Sequence, residues 1–201
     1  ALKSGDWDTL VSYRRDQHKF QQVANNDADV TILRWMNGTL GNWQDLDFSK
    51  WGKTAWGLAD TNPFTGVCHY SGSCRVFESD CSACPAVRKP FTGKVATNLE
   101  RKVSFANRHE PIYVAPTDWI HGEFQKSQLG QERESRKILN PLQSRFFESQ
   151  EKVASNPNRL KVLIVAANLD DPTKGVWNVR DSLKRFLDKP SVELTLIGRH
   201  S

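Results

Sequence analysis

The chain reads as an α/β protein built on parallel sheets, and three features of the sequence carry that expectation. The run "LKVLIVAANL" (160–169) is almost continuously apolar, the pattern of a central parallel strand buried on both faces. A turn, an amphipathic stretch and a β-branched run, "SVELTLIG" (191–198), follow it and complete one strand–helix–strand unit. Upstream, short apolar runs alternate with helical stretches in the same way, and such alternation implies a parallel sheet.

In chain order, "DWDTLVSYRRDQHKFQQVANN" (6–26) is polar and helical in pattern, "VTILRW" (30–35) is a short strand, and a Gly/Asn/Asp-rich connection leads to the strand "KTAWGL" (53–58). A cysteine-rich loop follows at 68–84. Next come a helix at about 94–108, the strand "IYVAP" (112–116), a helix at about 117–127 and a short strand near "RKIL" (136–139). "PTDW" supports the second of those helices, because Thr117 or Asp118 can cap its first amides. The polar stretch around two Asn-Pro pairs, 141–158, reads as a crossing between domains. Beyond it lie the strand at 160–169, the turn "DDPTKG", the helix "VWNVRDSLKRFLDK" (176–189) and the strand at 191–198. The expected division is therefore 1–140, 141–158 and 159–201. A sheet that stops after its first strand–helix–strand pass suggests a fragment with both domains incomplete.

Composition narrows the class. The 201 residues are 38% hydrophobic, enough for one large core or two small ones. No window approaches eighteen consecutive apolar residues, and "ALKSGDWDTL" lacks the layout of a signal peptide, so the expected compartment is the cytoplasm. Lys and Arg exceed Asp and Glu by 28 to 23, a net charge of +5 that favours anionic partners. The cations are spread along the chain rather than gathered in one tract, although "NLERKVSFANRH" and "VRDSLKRFLDK" are locally basic, and so small an excess chooses none of the anionic partners; nucleic acid is the less expected of them. "NGT" (37–39) is a glycosylation sequon that matters only in a secreted protein.

All four cysteines fall within "CHYSGSCRVFESDCSAC" (68–84), spaced Cys-x5-Cys-x6-Cys-x2-Cys with His69 beside the first. Three readings stay open. Cys68, Cys74, Cys81 and Cys84 are enough thiolates for a tetrahedral structural zinc, and the last pair has the spacing of a zinc knuckle. Reduced cysteines packed in a loop and a pair of disulfides are the other two, the latter disfavoured in a cytoplasmic protein. A catalytic cysteine is the weakest reading, since no base is placed by the sequence.

The turn "NLDDPTKG" offers a different chemistry. It follows a buried strand and precedes a helix, the crevice where open α/β sheets bind ligands. There Lys174 supplies a point charge and Gly175 lets the backbone come close, so a phosphate can be met by charge, amides and dipole together.

Several stretches together resemble one family. "LIVAANLDDPTKGVWNVRDSLKRFL" with "VELTLIGR" resembles the opening of the donor-binding domain of retaining glycosyltransferases of family 4. "WGLADTNPFTGVCHYSGSCRVFESDCSACP" is similar to the Pro-Phe-Thr-Gly-Gly-Cys-His-Tyr segment of their polysaccharide-synthesis members. "IYVAPTDW" resembles their Ile-Val-x-Pro-Ser-x-Trp segment, and "ILNPL" their crossing into the donor domain. The resemblance covers about residues 28–199.

It implies a GT-B architecture of Rossmann-like parallel sheets, with transfer of a sugar from a nucleoside diphosphate sugar to a hydroxyl acceptor and retention at the anomeric carbon. The setting implied is cell-envelope or exopolysaccharide synthesis. Glycan or lipid-linked sugar acceptors, a peripheral membrane contact and no catalytic metal belong to the same expectation. Residue by residue, Lys174 matches the family's phosphate-contacting lysine, and Gly175 and Asn168 flank the same donor site. Asp60 is placed to meet a sugar hydroxyl or to hold a turn, and Arg34 stands where relatives often carry histidine.

The chain also departs from the family. Ala167 and Asn168 replace a Gly-Arg pair, and Ala59 replaces a histidine before Asp60. The glycine-rich acceptor loop and the later Glu-x7-Glu motif are absent, so the 201 residues alone are expected to be inactive. The alternatives are a non-catalytic member of the fold, or a zinc-braced basic module that stacks nucleic acid or glycan on some of its seven tryptophans, although Trp35, Trp43, Trp51 and Trp56 sit at strand and loop edges where core or cleft packing explains them as well.

Overall fold

The computed structural model of the protein describes residues 28–36, 48–148, 156, 158–187 and 189–200. The polar stretch at 6–26, the sequon at 37–39, Trp43 and most of the crossing after residue 148 lie outside the described residues. The chain divides into two compact units, Ala1–Pro141 and Leu142–Ser201.

Four short strands form the sheet of the first unit: β1 (Val30–Leu33), β2 (Lys53–Gly57), β3 (Ile112–Ala115) and β4 (Ser135–Lys137). They lie in the order β1-β2-β3-β4, and every neighbouring pair is parallel. Register sets Leu33 beside Trp56 and Trp56 beside Tyr113. Paired residues share a face of the sheet, and all three side chains are buried, so one row across the strands founds the core.

Helix α1 (Lys89–His109) covers that row. Its buried residues Val95, Leu99, Lys102, Phe105 and Ala106 recur at helical spacing, and Phe105 meets Trp56 edge-on at 5.8 Å. Fully buried Leu99 and Phe105 each contribute about 1.5–3 kcal/mol by leaving water. The helix starts earlier than its periodicity suggests because Pro90 lies in the first turn, where its missing amide costs nothing. It stops at Glu110, left-handed at φ 42°, whose amide bonds the Ala106 carbonyl at 3.0 Å. Helix α2 (Asp118–Lys126) begins at Thr117, whose hydroxyl accepts the Ile120 amide at 3.3 Å, so Thr117 rather than Asp118 is the cap. Phe124 of α2 closes the other end of the row, 4.4 Å from Tyr113 between ring centroids.

The cysteine-rich segment fills the connection between β2 and α1, with single 3-10 turns at Asn62–Phe64 and Val76–Glu78. Phe64 and Phe77 are fully buried, and each of these rings packs in an aromatic cluster that reaches Phe124. Gly66 passes so close to α1 that a Cβ there would lie 2.4 Å from a methyl of Val95 and 2.5 Å from its carbonyl oxygen. The "PFTG" stretch is thus a packing element: phenylalanine in the core, glycine against a helix.

The second unit consists of β5 (Leu160–Asn168), a 3-10 turn at Pro172–Lys174, helix α3 (Val176–Leu187) and β6 (Val192–Arg199). β5 and β6 pair in parallel, as the strand–helix–strand pattern predicts. The expectation that β5 is buried on both faces is not met: Leu160, Leu163 and Val165 are exposed. The described unit offers β5 one neighbouring strand and one helix, whereas burial on both faces needs both covered. Among the described residues no helix is long and apolar enough to cross a membrane.

Candidate functional site

Parallel strands deliver their following residues to one end of a sheet, and in the first unit that end carries a small recess. Trp35 follows β1, while Gly57, Ala59 and Asp60 come from the end of β2 and the turn after it. His69 returns from the cysteine-rich segment to complete the lining. The cavity volume is about 10 Å³, room for roughly one water or one hydroxyl.

Asp60 and His69 are the chemistry of this recess. The imidazole Nδ1 donates to Asp60 Oδ2 at 2.5 Å, with His69 4% and Asp60 9% exposed. Asp60 Oδ1 accepts the Asn62 amide at 2.8 Å, which fixes the turn. The Thr61 amide bonds the His69 carbonyl at 3.0 Å, and the hydroxyls of Thr61 and Thr65 bond the Cys68 carbonyl at 3.0 and 2.8 Å. The histidine is therefore held from its ring and from its backbone. Trp35 stacks on it, with ring centroids 4.8 Å apart and planes at 22°. Trp35 is 57% exposed and adopts φ 51°, a left-handed backbone that a bulky residue seldom takes. Arg34 is exposed, its stem lying against Gly57 beside the recess.

Behind the recess sits a buried cation. Lys102 of α1, 2% exposed, donates to the carbonyls of Asn62 at 2.5 Å and Thr65 at 2.8 Å. Burial lowers its pKa to about 8, and the acidic groups of Cys81, Asp60 and Cys68 oppose that fall. The amine ties α1 to the turn that carries Asp60.

The four cysteines are reduced and gathered near one another. The Cys68 thiol is pushed well above the usual thiol range, first by its hydrogen bond with Cys84, then by burial and by the other thiols. Burial moves Cys81 up to about 11, although the Gly66 amide, 3.4 Å from its sulfur, works the other way. Raised in this way, the Cys68 and Cys81 thiols stay protonated and are poor nucleophiles. Among the described residues no group of three or more His, Cys, Asp and Glu side chains is placed to hold a metal ion. Arg75 bonds Glu123, and Lys126 reaches the same carboxylate at 3.1 Å, fastening the cysteine-rich segment to α2.

The second unit has its own cluster at the carboxyl end of β5. Asp171 accepts the Thr173 hydroxyl at 2.6 Å and its amide at 2.9 Å, and these bonds, the hydroxyl first, hold its carboxyl below the usual range. Gly175 is left-handed at φ 63° and its carbonyl accepts the first amide bond of α3, from Val179 at 3.0 Å. Lys174 is exposed on this turn. Asn168 is engaged locally, its amide oxygen accepting the Asp170 amide at 3.1 Å. His200 Nδ1 bonds Asp170 at 2.8 Å, Trp177 meets His200 edge-on at 5.4 Å, and Arg180 lies 4.5 Å over Trp177.

Of the residues singled out from sequence, Asp60 lies in the recess and Arg34 beside it. Lys174, Gly175 and Asn168 share one turn of the second unit, and Cys68, Cys74, Cys81 and Cys84 form the thiol cluster. Sequence reasoning passed over Trp177 and His200 as site residues, noted His69 only as the neighbour of the first cysteine, and offered Trp35 only as one of several stacking or packing tryptophans. The signal for His69 is the return of the segment on either side of "PFTG", which no periodicity marks. Compared with known proteins, the chain is matched by no family model, no curated protein and no solved structure.

Proposed function

We propose that the chain belongs to a retaining glycosyltransferase that passes a sugar from a nucleoside diphosphate sugar to a hydroxyl acceptor in cell-envelope or exopolysaccharide assembly. The observation that carries this reading is the second unit: a parallel strand pair whose β5 runs into the Lys174–Gly175 turn at the start of α3. A diphosphate at that turn meets an ammonium, backbone amides and the positive end of the helix, the groups needed as negative charge develops on a leaving phosphate. The resemblance of the surrounding motifs supports the same assignment, with a GT-B arrangement and glycan or lipid-linked acceptors as its finer content.

Titration of the protein with nucleoside diphosphates and nucleotide-sugars tests it. Binding should weaken about tenfold or more in Lys174→Ala, the loss expected for one charge-assisted phosphate contact. Absence of nucleotide binding, or indifference to that substitution, ends the reading.

A second reading, a member that binds without turnover, is favoured by Asn168: a neutral side chain whose oxygen is already engaged in a turn stands where the resemblance expects a cation. Nucleotide binding without sugar transfer or hydrolysis is its signature. The cysteine cluster leaves zinc as a brace to be tested, since among the described residues no group of three or more His, Cys, Asp and Glu side chains is placed to hold a metal ion. Metal analysis of protein purified without chelator tests this directly; one zinc per chain, lost in Cys81→Ser, would restore zinc as a brace.

A further inference from the structure

The four cysteines gather at the core of the first unit without being equivalent. Cys81 and Cys84 belong to the buried cluster, and Cys68 packs against it. The Cys68 thiol is hydrogen-bonded to Cys84, whereas Cys74 and Cys81 act on it through charge alone. The Cys81 sulfur instead faces the Gly66 amide at 3.4 Å, and its backbone is held left-handed at φ 59° with its amide on the Val76 carbonyl at 3.1 Å. Cys74 is half-buried, in a turn closed by its amide on the Ser71 carbonyl at 2.9 Å. Cys68 and Cys84 are thus a pair whose sulfurs already meet.

We propose that Cys68 and Cys84 are a cross-linking site, closing a disulfide when the chain folds in an oxidising compartment. The two thiol hydrogens leave as protons, and their two electrons reduce an external disulfide, oxidised glutathione, to two thiols; one S–S bond forms as one breaks. Both ends of the link are already fixed. The Cys68 carbonyl accepts the Thr61 and Thr65 hydroxyls at 3.0 and 2.8 Å, and Cys84 is buried shortly before Val87, itself buried at the approach to α1. The loop so closed, 69–83, carries His69, the core ring of Phe77 and the Arg75 that bonds Glu123. Closing a loop removes freedom mainly from the unfolded chain, so the native arrangement is stabilised without new contacts. Once made, the bond resists exchange. The hydrogen bond with Cys84, then burial and the neighbouring thiols, hold the reduced Cys68 thiol well above the usual range, and so weak an acid leaves slowly. The cross-link stands independently of the glycosyltransferase reading.

The test prepares the full chain by two routes, refolding of the reduced protein in a buffer of reduced and oxidised glutathione and export to a bacterial periplasm. Each product is alkylated and mapped by mass spectrometry without reductant. Trypsin cleaves after Arg75 and so parts Cys68 and Cys74 from Cys81 and Cys84. The two peptides should remain joined, with fragmentation placing the bond between Cys68 and Cys84 and alkyl groups on Cys74 and Cys81. The melting temperature should fall by about 5 °C or more when reductant is added, the loss expected for opening a loop of this size. Cys74→Ser should keep both signals. Cys68→Ala and Cys84→Ala should each lose the cross-link and the response to reductant. Four alkylated cysteines by both routes, a bond that joins another pair, a reductant shift that persists in Cys68→Ala, or a zinc ion held by the thiols that blocks oxidation overturns the proposal.

Discussion

At the carboxyl end of each parallel sheet a carboxylate grips a histidine beside a tryptophan. In the first unit Asp60 and His69 are 9% and 4% exposed and 2.5 Å apart, under Trp35. In the second, Asp170 and His200 are 28% and 59% exposed and 2.8 Å apart, beside Trp177. The residue types are the same and the environments are opposite. What separates them is the connection: after β2 a long segment returns over the strand ends and buries its histidine under Trp35, whereas His200 merely follows the end of β6. Charge interactions strengthen as water is excluded, so the first pair is the more strongly coupled of the two.

The sharpest way to break that comparison is to delete each carboxylate. Asp60→Ala leaves a buried imidazole and the Asn62 amide without their partner and should cost about 3–5 kcal/mol, whereas Asp170→Ala should cost about 0–1 kcal/mol. Urea unfolding followed by tryptophan fluorescence measures both, and equal losses would show that burial does not separate the pairs.

Next in size is a pH effect confined to the first unit. Lys102 has a pKa of about 8 folded against 10.5 unfolded, so between those values the unfolded state holds more protons and stability rises with pH. The rise is on the order of 3 kcal/mol at most. Cys81, at about 11 folded against 9.0 unfolded, acts in the opposite sense from pH 9 to 11, because there the folded state keeps the proton. Cys68, whose pKa is raised further still, adds to that opposition, so stability should climb from pH 8 to 9 and fall beyond it, and Lys102→Met should remove the climb. A parent profile that is flat or falling across that first interval contradicts the assignment.

The smallest effect belongs to the second unit. Asp171→Ala removes the cap of the Lys174 turn and should cost about 1 kcal/mol, read as a lowered melting temperature, with no effect on the first unit. A loss as large as that of Asp60→Ala would mean the turn is tied to more than its own residues.

Much of the first unit was legible because its signals are local. The β-branched runs mark the strands, "PTDW" marks the start of α2, and Pro90 near the start of α1 explains the one boundary that periodicity placed late. Burial of β5 was not legible, because an apolar run states what a strand can tolerate and not which neighbours cover it. Asp60 was noticed for its position in a turn, yet its partner lies nine residues on, across the Phe64 and Gly66 packing elements, and spacing alone does not reveal that return. The cysteine spacing left metal, bridge and packing open for the same reason: ligation depends on where four sulfurs converge.

By itself the sequence determined the α/β class, the parallel alternation, most element boundaries and the Lys174–Gly175 turn, all properties of short stretches governed by local propensity and periodicity. Only the tertiary structure decided that His69 closes on Asp60, that Trp35 takes a left-handed backbone above them, and that Lys102 sits buried behind. Those depend on contacts between residues far apart in the chain, where close packing against α1 and the exclusion of water set the outcome.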